Sequence, residues 1–173
     1  MSPEKFEKLT EQLATLRLVN GEQLAIVVDL VFAKAVSEHS YCEMYSELCI
    51  ILQARLPHFP PQRPDAPGQS FLRALLDRCQ TEFENVPTEF PTNAAPNSEE
   101  AEQLSKQKER VQGNMKFIGQ LILRRLLSRK VVQEVGTRLL SRQEKPQDHL
   151  IECLCILLRT TGSFLEASPM GKE

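Results

Sequence analysis

Apolar residues recur along this chain in steps of three and four. Phe6, Leu9, Leu13 and Leu16 make the first such stripe, the spacing of one helical face, and predict a helix over 3–16. Ser2 offers an N-cap, Pro3 suits the first helical position and Glu4 suits the positive helix end. Asn20-Gly21 interrupts the pattern. A second helix is expected over 22–37. Leu24, Val28, Val31 and Ala35 line one face and Ile26, Leu30 and Ala33 another, which predicts an inner helix buried on both sides. Asp29 interrupts this apolar run and is expected at the helix rim or paired with a donor such as Lys34.

Ser40 can cap a third helix over 41–56, carried by Tyr41, Tyr45, Leu48, Leu52 and Leu56. Five prolines then fall between Pro57 and Pro67, too many for a helix. A fourth helix is expected over 69–84, with Phe71, Leu75, Cys79 and Phe83 in step. Residues 85–97 read as a long loop. Ser98 before Glu99 and Glu100 marks the start of a helix to about residue 126. Ser128 opens the next helix, over 129–141, with Val131, Val135 and Leu139 in register. The last helix, over 147–161, carries Leu150, Cys153, Leu154, Leu157 and Leu158, and Gly162 is the expected stop.

The helices come in pairs over 3–37, 41–84 and 98–141, with one helix left over. That spacing is in the range of about 40–47 residues typical of HEAT-type repeats. The expected fold is all-α: an α-solenoid of stacked antiparallel helix hairpins, HEAT-like, about three and a half repeats long. Residues 1–165 are read as one domain. Residues 166–173 are read as a tail where a longer protein is cut, because an unfinished hairpin leaves an apolar face uncovered.

Composition agrees. Trp is absent and Gly numbers 7 of 173 residues, against a β-rich fold. The opening residues lack the apolar core of a signal peptide. The longest apolar stretch, 24–33, is too short to span a bilayer. A soluble protein, cytoplasmic or nuclear, with no membrane contact is expected.

Candidate chemistry is sparse. There is no phosphate-binding loop and no nucleophile elbow. The 5 cysteines do not form a zinc-ligand pattern, sit in apolar helical stripes and are expected as buried small hydrophobes. His39 and Cys42 lie three apart, but no third group orients them for nucleophilic catalysis. No enzyme, cofactor or metal site is expected.

Charge is uneven. Residues 106–145 hold 11 basic and 3 acidic side chains, whereas the rest is net acidic. Lys106, Lys108, Arg110, Arg124, Arg125, Arg129 and Lys130, with Arg138, Arg142 and Lys145, could track RNA phosphates. They could also meet an acidic partner or line a solvated helix surface, since their spacing does not put them all on one face and no aromatics interleave.

Gly113-Asn114-Met115-Lys116-Phe117-Ile118-Gly119-Gln120-Leu121 is unusual physically. Two glycines inside a helix cost roughly 1 kcal/mol each relative to Ala. A neighbouring helix packed on the bare backbone is the simplest compensation, and Asn114 beside apolar residues should be hydrogen-bonded. This run resembles a hallmark of the middle domain of eukaryotic translation initiation factor 4G, with Gln120 where Glu is usual. Three further segments match in order. Asp29-Leu30-Val31-Phe32-Ala33-Lys34-Ala35-Val36-Ser37-Glu38 is similar to a family run, with His39 where Pro is common. So is Phe71-Leu72-Arg73-Ala74-Leu75-Leu76-Asp77-Arg78-Cys79-Gln80-Thr81-Glu82-Phe83-Glu84. So is Glu152-Cys153-Leu154-Cys155 with Leu157, Leu158, Thr160 and Gly162.

The resemblance implies a translation-initiation scaffold: a HEAT crescent that holds the two lobes of the DEAD-box RNA helicase 4A and stimulates it, while catalysis belongs to the helicase. It implies messenger RNA as a second partner, and other initiation factors bound through regions outside this chain. It makes Phe6 a helicase-contact candidate. The family's upstream Leu-x-x-Leu run would precede Met1 and further repeats would follow, so reduced helicase affinity is expected. The alternative is a related HEAT module in messenger-RNA decay, export or poly(A)-binding-partner proteins.

Overall fold

In a computed structural model, residues 3–61, 68–85, 98–141 and 148–167 are described. They form α1 (Pro3–Ala14), α2 (Gly21–Ser37), a 3-10 turn (His39–Tyr41), α3 (Cys42–Arg55), α4 (Phe71–Glu84), α5 (Glu99–Leu123), α6 (Lys130–Ser141) and α7 (Asp148–Glu166). The one β-like feature among these residues is an isolated bridge between Phe59 and Gln69, which closes the proline-rich connection.

Helix starts follow local chemistry. Asn20, Ser70 and Ser98 are extended, and each accepts a backbone N–H three residues on with its side chain. Gln23 answers Asn20 by accepting the Val19 N–H at 3.0 Å, which satisfies a second free donor near this helix start. Ser40 does not cap α3. It sits inside the 3-10 turn, and α3 begins after Tyr41 with no side-chain cap.

Alternate helices stack in two layers. α1, α3, α5 and α7 neighbour one another in order, and α2 packs against α3, α4 and α5. α5 is the central element, contacting α2, α3, α4 and α7. At its centre Phe117 meets Phe32 of α2 edge-on, ring centroids 6.2 Å apart. Burial of large apolar side chains such as these, worth about 1.5–3 kcal/mol each, is the main force holding the stack.

The two α5 glycines are explained by packing. A Cβ on Gly113 would lie 2.2 Å from the Val36 carbonyl oxygen of α2, and one on Gly119 would lie 2.7 Å from Thr160 Cγ2 of α7. Asn114 is fully buried and donates to the Cys79 carbonyl at a long 3.5 Å. Its Oδ1 meets no donor among the described residues, so the expected hydrogen bonding is only half made.

Several expectations need correcting. α2 is buried on one side only: Ile26 and Leu30 are 59% and 63% exposed, and Ala33 is exposed. Helical periodicity records an apolar stripe but not whether a neighbour covers it. The α1 stripe is half covered. Leu9 and Leu16 are exposed while Thr10 and Ala14 are buried, because this edge helix packs against α3 alone.

α5 ends at Leu123, short of 126. The Leu126 N–H bonds the Leu121 carbonyl and the Arg125 N–H bonds the Ile122 carbonyl, with Arg125 at φ 59°. This is a Schellman turn with arginine in the left-handed position that usually takes glycine. Conversely, Gly162 does not stop α7, which runs on to Glu166. Phe164 and Leu165 beyond it pack on the core, and their burial outweighs the roughly 1 kcal/mol cost of a helical glycine. The start of the expected tail, residue 166, is thus helical. Ser2, Pro64, Pro67 and most of the 85–97 loop lie outside the described residues.

Candidate functional site

Three residues of the basic segment, Arg110, Arg124 and Arg138, are engaged by acids of neighbouring helices. Arg110 donates from Nε and Nη2 to the two Glu82 oxygens, the second at 3.0 Å. Glu82 also receives Arg78 at 2.9 Å, and Arg78 reaches Asp29 at 3.0 Å while lying 4.6 Å over the Phe32 ring. Asp29, Arg78, Glu82 and Arg110 therefore form one chain of charges tying α2, α4 and α5 together. The partner of Asp29 is Arg78 from the next repeat; Lys34 instead pairs with Glu38 at 2.9 Å. Burial pushes the Glu82 carboxyl up, but the bonds from Arg110 and Arg78 outweigh it, and the group is held below the usual carboxylate range.

Arg124 is only 13% exposed and binds Glu47 at 3.1 Å and Glu43 at 3.3 Å, joining α5 to α3. Arg138 joins α6 to α4 through Glu84 at 3.2 Å and also holds Glu134 at 3.0 Å. These arginines orient helices. Lys106 makes a loose exposed pair with Glu102 at 3.8 Å, and Lys108 is exposed nearby. At 1.5 Å per residue, Arg110 lies about 20 Å along α5 from Arg124.

Arg125, Arg129 and Lys130 gather at the α5–α6 turn. Arg125 and Lys130 are exposed, and the Arg129 guanidinium lies 5.5 Å over the Phe164 ring. A hollow of about 460 Å³ there is lined by Arg125, Ser128, Arg129 and Phe164 among others. Arg142 and Lys145 lie outside the described residues. The partners Glu43, Glu47, Glu82 and Phe164 escaped the sequence reading. Only the Arg78–Glu82 pair, four residues apart, had a local signal.

The hallmark run is a packing device. Gly113, Asn114, Phe117 and Gly119 are buried and Lys116 is half-buried. Phe6 packs partly on the core, on the same α1 stripe as exposed Leu9; exposed Leu16 lies beyond the end of α1 at Ala14.

The Cys42 thiol donates to the Ala35 carbonyl at 3.2 Å, and burial pushes it up to about 11, with Lys116 lowering it only partly; such a thiol is inert. Burial also raises Cys79 and Cys153 to about 12 and Cys49 further still. Among the described residues no group of three His, Cys, Asp or Glu converges as metal ligands, and no helix is long and apolar enough to cross a membrane. A cavity of about 280 Å³ opens between α4 and α6, walled by Leu76, Phe83, Ile118 and Val135. Its rim charges are Arg73 with Asp77 and Glu134 with Arg138, loosely or closely paired.

Comparison with known proteins agrees with this architecture. The MIF4G domain family model matches residues 1–173. Eukaryotic translation initiation factor 4G of Arabidopsis thaliana is 33% identical over 176 residues, covering 96% of this chain and 10% of that protein. The wheat (Triticum aestivum) protein of the same name is 33% identical over 185 residues, covering 100% of this chain and 12% of its own. Eukaryotic translation initiation factor 4 gamma 3 of Mus musculus is 31% identical over 185 residues, covering 96% and 11%. The chain thus spans about a tenth of the length of these relatives. With an all-helical stack, buried hallmark glycines and whole-chain similarity in agreement, the chain belongs to the MIF4G domain family of translation initiation factor 4G, a family of non-enzymatic scaffold domains.

Proposed function

We propose that this chain is a docking scaffold of cytoplasmic translation initiation that binds the DEAD-box RNA helicase 4A. Whole-chain membership of the MIF4G family, with relatives named as translation initiation factor 4G, carries this reading. A rigid stack of hairpins can favour one arrangement of a two-lobed partner and so shift its population without doing chemistry. Half-buried Phe6, with exposed Leu9 on the same α1 stripe, offers an apolar edge where one lobe can seat.

The test is binding and ATPase assay with purified helicase 4A. The chain alone turns over no ATP, and added chain raises the helicase rate. Phe6→Ala and Leu9→Ala weaken binding by roughly tenfold, an ordinary loss for one apolar anchor, with unchanged circular dichroism. No binding, or full binding by both variants, overturns the proposal. RNA is a second partner, favoured by the gathering of Arg125, Arg129 and Lys130 at one turn. Replacing these three with Ala should lower the slope of log K against log salt by about 2 for single-stranded RNA.

A further inference from the structure

The run Arg-Leu-Leu-Ser-Arg occurs twice, at 125–129 and at 138–142. In both, a serine stands three residues after an arginine, the charge pattern that arginine-directed protein kinases read with acidic groups. Sequence alone ranks the two sites equally. The fold separates them. Ser141 is the last residue of α6, and its directing Arg138 is tied to Glu84 and Glu134. Ser128 lies between helices and is exposed, and Arg125 is exposed with no ion pair among the described residues.

We infer that Ser128 is a phosphorylation site for an arginine-directed serine/threonine kinase using ATP. The Ser128 Oγ attacks the γ-phosphorus. The new O–P bond forms as the bond to the ADP oxygen breaks. ADP leaves, and the hydroxyl proton passes to the kinase's catalytic carboxylate. The turn also suits the product. Ser128 caps α6, its carbonyl accepting the Val131 N–H at 3.1 Å and its Oγ the Lys130 N–H at 3.3 Å. A phosphate there lies among Arg125, Arg129 and Lys130 at the positive end of the helix, where it gains charge-assisted hydrogen bonds.

Access has a cost that makes the inference sharper. Leu127 is buried and Leu126 half-buried, so the segment must open locally to lie extended in a kinase groove. The folded chain should therefore react more slowly than a free peptide of residues 122–132, but still at Ser128.

The experiment treats the intact chain with a purified arginine-directed kinase and ATP and maps phosphate by mass spectrometry. Ser128 should be modified roughly tenfold or more faster than Ser141 in the folded chain. Peptides 122–132 and 135–145 should differ little. Ser128→Ala should remove the main product. Arg125→Gly should slow the reaction similarly while circular dichroism shows an intact fold. The phosphorylated chain should melt about 2–4 °C higher. Equal or faster reaction at Ser141, an inert peptide 122–132, an unreactive Ser128 in the folded chain, or a lower melting point overturns the inference.

Discussion

Replacing Gly113 with Ala sets two effects of known sign against each other. In an open helix the change is favourable by roughly 1 kcal/mol, because glycine has the greater backbone freedom to lose. At Gly113 the new methyl would sit 2.2 Å from the Val36 carbonyl oxygen. Ordinary contact begins above 3 Å, so α5 and α2 must separate by about 1 Å. Neither side can rotate away, since both are helix backbone. Overpacking of this kind costs typically 1–3 kcal/mol and more where backbone must move. The elements displaced carry Phe32, Phe117, Ile118 and Leu121, all in the core. The expected net loss is about 2 kcal/mol, or 4–8 °C in melting temperature for a chain of this size.

Gly162→Ala is the matched control. It lies mid-helix with nothing within 4 Å of its would-be Cβ, so only the propensity gain remains. That variant should be about 0.5–1 kcal/mol more stable. Gly119→Ala should fall between them, because the side chain it meets belongs to Thr160 and can shift. Urea unfolding followed by circular dichroism at 222 nm measures all three. Gly113→Ala as stable as the parent would refute the close-approach argument.

Three further outcomes follow from the charge and thiol geometry. The Glu82 carboxyl is held below its unfolded value, so its stabilisation is complete above the unfolded pKa and is lost as pH falls through the folded one; Glu82→Gln should be less stable at pH 7 by about 1–2 kcal/mol and should flatten the acid limb of the stability curve. Arg125→Gly should stabilise the chain by about 1 kcal/mol in the same urea assay by relieving the left-handed arginine. In native thiol titration exposed Cys155 should react promptly, while buried Cys42, Cys49, Cys79 and Cys153 wait for unfolding.

The helix pattern and the packing role of Gly113 and Gly119 were legible along the chain, because they depend on local periodicity and backbone cost; the expected pairing was not, since α1 packs on α3 and not α2, and α6 on α7 and not α5. The fate of the charges was not. Arg110, Arg124 and Arg138 read as a basic surface in one dimension, yet their partners Glu82, Glu43, Glu47 and Glu84 stand 28 to 81 residues away. Only the stacking of repeats brings these groups within bonding distance. The same holds for coverage. Ile26 and Leu30 carry the same apolar signal as Val28 and Val31, and which of them meets solvent is decided by where α3, α4 and α5 lie. Sequence determines what each helix can bury; the neighbours that tertiary structure supplies determine what it does bury.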